Sequence, residues 1–263
     1  MSSPNFIDHL HKHGKSGLFL TGIIFFTIGN AFLPLMFYGL ALFIPLFFAA
    51  LPIVGFWLIY AASKKPQKPE KTLAALTLFK IHTIINLVML CLGVLTTLGV
   101  SLVIFFFSDH LGIEFAPIFT ALLISMLIIL LFIPLYYVPI LKILESIKRN
   151  IVNNTFNRIR GATTFTIVTF AAATLGLVGI IVAFMSMGAV LAYMDDIMWW
   201  LMQELPGADM DGLMALIGVF MASFGLALII ALVNMVGVIL CVITLNKLAN
   251  SLHREEKHVI SKL

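Results

Sequence analysis

Gly29-Asn30-Ala31-Phe32-Leu33-Pro34-Leu35-Met36-Phe37-Tyr38-Gly39 decides how this chain is laid out. It lies inside an apolar block from Gly17 to Ala62, 46 residues without one charged side chain. As a single helix rising 1.5 Å per residue the block would reach ~69 Å, more than twice the ~30 Å hydrocarbon thickness of a bilayer. The block must fold back on itself. Glycine, asparagine and proline favour turns, and a tyrosine suits the headgroup layer. The reversal is therefore expected between Gly29 and Gly39. Pro45 and Pro52 then fall inside the second span, where a neighbouring helix has to satisfy the carbonyls they free.

The rest of the chain has the same character. Of 263 residues, 61% are hydrophobic and 11% charged, where a soluble domain is nearer half apolar and a quarter charged. Too little polar surface exists to cover a water-soluble core, so lipid is the expected solvent. Further apolar blocks run from about Leu73 to Phe107, Phe115 to Leu144 and Gly161 to Leu245, the last broken by the acidic stretch Asp195–Gly212. The expected fold is an all-α, polytopic transmembrane helical bundle of six spans, at about 17–35, 40–62, 77–107, 116–144, 163–192 and 213–245. Polar tails cover 1–16 and 246–263. Spans longer than 20 residues are expected to tilt or to project helical turns beyond the bilayer. Cys91 and Cys241 fall in apolar runs and read as small buried hydrophobes rather than a disulfide.

Charge placement gives the orientation. With six spans, all 16 lysines and arginines fall on one face, in the tails, on alternate loops or at the span ends beside them, while the opposite loops carry Asp109, Glu114, Asp195, Asp196, Glu204, Asp209 and Asp211 and no base. Basic loops stay inside, so the expected location is the cell membrane, multi-pass, with both termini cytoplasmic. The net charge of +4 is thereby explained without a nucleic-acid partner. The cluster Lys148, Arg149, Arg158 and Arg160 is a candidate docking surface for anionic lipid or a cytoplasmic protein partner.

Two span ends rhyme: Lys142-Ile143-Leu144-Glu145-Ser146-Ile147-Lys148-Arg149 and Lys247-Leu248-Ala249-Asn250-Ser251-Leu252-His253-Arg254. The rhyme suggests a parallel repeat of two helical hairpins. Small residues four apart in span 5 (Ala172/Gly176, Gly179/Ala183) and span 6 (Gly218/Ala222, Ala227/Ala231) predict that these two helices pack closely, or that the chain oligomerises. Span 3 offers Gly93 and Thr97.

Groups that carry chemistry are sparse. No acid lies near a span centre, which argues against a pump or protease built on intramembrane carboxylates. Asn86, Asn234 and His82 are the candidate cavity or interhelical polar residues. His9, His11 and His13 contain the i, i+4 pair used by zinc sites, but no third ligand accompanies them, and a solvated tail is expected. No metalloprotease, phosphate-loop or dinucleotide motif is present, so no catalytic residue, cofactor or metal is assigned. Between spans 5 and 6, apolar residues at helical spacing with Asp195, Asp196, Trp199 and Trp200 predict a short interfacial helix on the outer surface.

The segments Gly55-Phe56-Trp57-Leu58-Ile59-Tyr60-Ala61-Ala62-Ser63 and Tyr136-Tyr137-Val138-Pro139-Ile140-Leu141-Lys142-Ile143-Leu144 resemble uncharacterised multi-pass membrane proteins of Gram-positive bacteria. The resemblance implies a bacterial plasma membrane and no activity. The resulting expectation is a non-enzymatic membrane component or permease-like subunit. A small-solute transporter or channel, and a membrane-embedded lipid-modifying enzyme resting on His82 and His110, are the alternatives.

Overall fold

In lipid every backbone N–H and C=O must find its partner within the segment, so apolar runs of this length become helices. The computed structural model describes residues 6–38, 43–64, 69–111, 116–193, 199, 203 and 210–260. Seven helices make up these residues: α1 (Phe6–Gly14), α2 (Gly17–Tyr38), α3 (Phe43–Lys64), α4 (Pro69–Leu111), α5 (Ala116–Asn153), α6 (Ala162–Ala192) and α7 (Met210–Ile260). The chain is an all-α, multi-pass membrane protein. Pro69–Phe106, Leu122–Asn153, Ala162–Gly188 and Ile217–Arg254 are each long and apolar enough to cross a membrane. The pair α1 and Gly17–Phe32, bent by 63°, brings the number to at most five among the described residues.

The six long helices form a ring in chain order. Each packs on its successor, and α7 closes the ring against α2. Neighbours run antiparallel. On α2 and α3, the Trp57 indole N–H donates to the Thr27 hydroxyl (3.1 Å), while Gly14, just before α2, lies against Ser63 at the other end. On α3 and α4, Phe56 meets Phe79 (4.6 Å between centroids) and His82 meets the Phe48 carbonyl.

The reversal comes later than its turn-forming residues suggest. Helix α2 runs unbroken through Gly29, Asn30 and Pro34 to Tyr38, and α3 begins at Phe43; residues 39–42 lie outside the described ones. The physical reason is that Gly29 and Asn30 serve a helix contact. A Cβ on Gly29 would collide with Asn234, and one on Gly237 would collide with the backbone of Phe26. A Cβ on Gly22 would lie only 3.0–3.1 Å from Cys241 and Leu240, tighter than ordinary van der Waals contact. Helices α2 and α7 thus approach backbone to backbone along about two turns.

The small-residue expectation, that the fifth and sixth spans pack together, holds in part. Helices α6 and α7 are neighbours, but Gly176 meets only Met235 at 3.9 Å, and Gly179, Gly218 and Gly93 have nothing within 4 Å of an added Cβ. The closest seam joins the first and last long helices.

The main hydrophobic core sits at one end of the ring. Phe6, Ile7 and Leu10 of α1 are buried against Leu76 of α4, Ile143 and Ile147 of α5, and Leu248 and Leu252 of α7. Towards the other end the helices are bare, with Leu95 at 63% and Phe106 at 73% exposure on α4. That division follows the solvent: apolar burial is driven where water is the alternative, and lipid offers no such drive.

Helix α5 stops in a built cap. Asn154 takes φ 47°, and the Thr155 N–H donates to the Asn150 carbonyl (3.1 Å), a left-handed residue followed by a six-to-one bond. The buried Asn150 side chain donates to the Asn157 carbonyl (2.7 Å) and accepts from the Thr155 hydroxyl (3.1 Å), which fixes the loop to α6. Asn154 Oδ1 then accepts the Phe6 N–H (3.0 Å) and anchors the start of α1.

Substituting Gly237→Leu is expected to lower thermal stability in detergent by ~1–3 kcal/mol or more, because overpacking here meets backbone. Gly99→Leu, facing open space, is the matched control and should not lower it. Equal melting of the two variants would remove the α2–α7 seam as the closure of the ring.

Candidate functional site

A ring of six helices packed chiefly on their neighbours leaves a space at its axis. Here it is a cavity of about 270 Å³ to which all six long helices contribute. Phe19, Phe26, Phe56 and Phe79 line one side, with Phe56 edge-on to Phe19 (6.0 Å), Phe26 (5.0 Å) and Phe79 (4.6 Å). Tyr136 and Ile140 of α5, Phe165 of α6 and Val238 of α7 line the other. Leu10, His13 and Gly14 of α1 form the floor.

The floor is a docked helix, which differs from the solvated tail expected for residues 1–16. Phe6 is fully buried, edge-on to Phe156 at 6.1 Å. His9 and His13 do share a face, 5.4 Å apart, and both reach Ser251 of α7, at 2.7 and 3.3 Å. The Ser251 hydroxyl donates to the Leu248 carbonyl (2.7 Å), so its lone pairs take the imidazole N–H groups. His11, 2% exposed, has Nε2 3.4 Å from the buried Thr72 hydroxyl, and its Nδ1 has no partner among the described residues. Burial lowers the pKa of His11 from the ordinary 6.5; Asp8 opposes that and Lys15 adds to it. Burial also lowers that of His13, reinforced by His9, Lys12 and Lys247.

His82, a cavity-lining residue, has both ring nitrogens engaged. Pro52 has no N–H for the carbonyl of Phe48, four residues earlier on α3. His82 Nδ1 lies 3.1 Å from that oxygen and must carry the proton, since a carbonyl only accepts. Nε2 is then the acceptor for the Asn86 amide, 2.8 Å away. The histidine fills the gap left by a proline, and the asparagine fixes its tautomer. Asn234 belongs elsewhere, since its Oδ1 accepts from Asn30 Nδ2 (2.9 Å), which also donates to the Phe26 carbonyl (3.0 Å). The structure therefore joins His82 with Asn86 and Asn234 with Asn30, and puts only His82 on the cavity wall.

Sequence reasoning took Asn30 for a turn residue. The signal that could have found it is the second intramembrane asparagine, which needs a partner in lipid. Pro52 carried the matching signal for His82. Tyr136 lacked one, since nothing in an aromatic pair tells which ring faces inward.

Lys148, Arg149, Arg158 and Arg160 are exposed at the end that carries α1, and Arg149 pairs with Glu145 at 2.8 Å. Every lysine and arginine whose side chain is described is exposed. Of the expected outer helix, Trp199 is 64% exposed, and Asp195, Asp196 and Trp200 lie outside the described residues. Comparison with protein-family models, curated proteins and solved structures finds no match. The resemblance to membrane proteins of Gram-positive bacteria gains no family from it.

Two outcomes follow from this geometry. His82→Leu leaves the Phe48 carbonyl unsatisfied and is expected to cost ~1–3 kcal/mol. Adding Pro52→Ala restores an N–H at position 52 and should recover most of that loss, whereas simple additivity in melting experiments would break the pairing. For α1, folded-state pKa values below 6.5 mean that the unfolded helix binds more protons. Its docking is complete above pH 6.5 and is lost as the pH falls through the lowered values. Hydrogen exchange of residues 6–14, corrected for intrinsic rate, should show protection at pH 7.5 that declines towards pH 5; pH-independent protection would contradict this.

Proposed function

We propose that this chain is a six-span, permease-like protein of the plasma membrane, non-enzymatic, that holds a small molecule in the cavity between its helices. The observation that carries this reading is the cavity itself: six helices wall it and a separate amphipathic helix floors it. Its size is just under the ~300–1,000 Å³ of small-molecule pockets. Six spans follow if α2 and α3 each cross, and the basic end, which holds α1, the α5–α6 loop and Ser251 of α7, then faces the cytoplasm. The exposed bases there suit anionic headgroups or a cytoplasmic partner.

A transporter is the second reading, and the cavity favours it over a purely structural scaffold. A lipid-modifying enzyme is less well supported, because its intramembrane candidate, His82, has one nitrogen engaged by the Phe48 carbonyl of α3 and the other by Asn86 of its own helix. The rhyme of Ser146 and Ser251 extends to Ser63: each donates to a carbonyl at or near the foot of its helix, at 2.8 Å for Ser63 and 2.7 Å for the others. It supports a ring of three related hairpins, α2–α3, α4–α5 and α6–α7.

The test has two arms. Single cysteines at Leu40, Glu114 and Asp209 should react with a membrane-impermeant maleimide on intact cells, and those at Lys65, Arg158 and Lys257 only after permeabilisation. Protection of the Leu40 site in intact cells would exclude six spans. Native mass spectrometry of the extracted protein should find a bound small molecule that Val238→Trp, which fills the cavity, abolishes. Identical spectra from the two proteins would exclude a ligand-holding cavity.

A further inference from the structure

The charge and hydrogen-bond state of the cavity wall restrict what the cavity takes. Among the described residues, no aspartate, glutamate, lysine or arginine lines it. An ionic ligand would enter without a counter-group, and an unpaired charge in such surroundings is strongly unfavourable. The polar groups on the wall are mostly engaged inside the protein. The Thr83 hydroxyl donates to the Phe79 carbonyl (2.7 Å) and that of Thr244 to the Leu240 carbonyl (3.0 Å). His82 has both nitrogens engaged, and His13 Nε2 faces Ser251.

Tyr136 is different. It lines the cavity, is partly exposed, stands 5.5 Å from Phe165 and 5.4 Å from Tyr137, and its hydroxyl makes no hydrogen bond among the described residues. A phenol in an apolar setting without an acceptor is an unsatisfied donor, which a ligand oxygen can relieve. The Cys241 thiol, the other lining donor, is a weak one.

We infer that the cavity binds a neutral, predominantly apolar molecule with one hydrogen-bond-accepting oxygen, which takes its hydrogen bond from Tyr136. This rests on the reading of the cavity as a ligand site. It identifies the class as long-chain ketones, esters or similar uncharged amphiphiles, and sets aside carboxylates, quaternary amines and sugars.

The experiment uses the full chain in lipid nanodiscs and four diazirine photoprobes of equal chain length: a methyl ketone, an alkane, a carboxylate and a trimethylammonium. Labelling of cavity-lining peptides is normalised to the exposed segment 92–103 of α4. The ketone should label the cavity about tenfold more than either charged probe. Tyr136→Phe keeps the ring and should reduce ketone labelling roughly 2–12-fold, which is the ~0.5–1.5 kcal/mol of one hydrogen bond at 1.4 kcal/mol per tenfold. Alkane labelling should not change. Val238→Trp should abolish cavity labelling by all probes. Equal labelling by the carboxylate, or ketone labelling indifferent to Tyr136→Phe, overturns the ligand class and leaves the cavity reading standing. Labelling that ignores Val238→Trp overturns both.

Discussion

Closure of the ring depends on one seam. Helices α2 and α7 stand far apart in the chain, yet Gly22, Gly29 and Gly237 let their backbones meet, with Asn30 and Asn234 hydrogen-bonded across the contact. In lipid, two leucine-covered helices gain little by touching, so close backbone approach and a shared polar bond supply the attraction. Helices α2 to α6 are tied one to the next by short connections. The first and last long helices have no such tie, and their contact is made close by Gly22, Gly29 and Gly237. Without this contact the six helices would be an open curved sheet of hairpins, and there would be no enclosed space at the axis.

The second feature is the position of the packed core. Its buried residues come from α1 and from the feet of α4, α5 and α7. The short helix behaves like an element of a water-soluble protein: amphipathic, capped by Asn154, and driven into place by Phe6, Ile7 and Leu10. Its Leu10, His13 and Gly14 line the cavity at the basic end, so the helix that stabilises the fold also forms part of the cavity wall. His11 and His13 link the docking of this helix to protonation, because burial disfavours their charged forms and His11 lies beside a neutral threonine.

Polar residues within the helices follow a single economy. Proline frees a carbonyl, histidine from the next helix takes it, and asparagine one turn on fixes the histidine tautomer. Asn30 and Asn234 satisfy each other. Thr83, Thr166 and Thr244 bond back to carbonyls four residues earlier. What is left over is therefore informative: on the cavity wall, the Tyr136 hydroxyl stands out against a background in which nearly every neighbour is satisfied.

The sequence by itself determined the helical class, the approximate limits of the apolar segments, the need for a reversal inside Gly17–Ala62, and the segregation of basic from acidic loops. These depend on composition and length, which the bilayer reads directly. It also marked His82, Asn86 and Asn234 as polar groups needing partners, but it could not pair them, since partner choice depends on which helices are neighbours. It misread Gly29 and Asn30 as turn residues because a close helix contact and a turn call for the same residue types. The ring order, the α2–α7 seam, the cavity and the docking of α1 were decided only by tertiary structure. Helix faces that are apolar all round carry no periodic signal of what they face, because lipid and a neighbouring helix are equally apolar solvents.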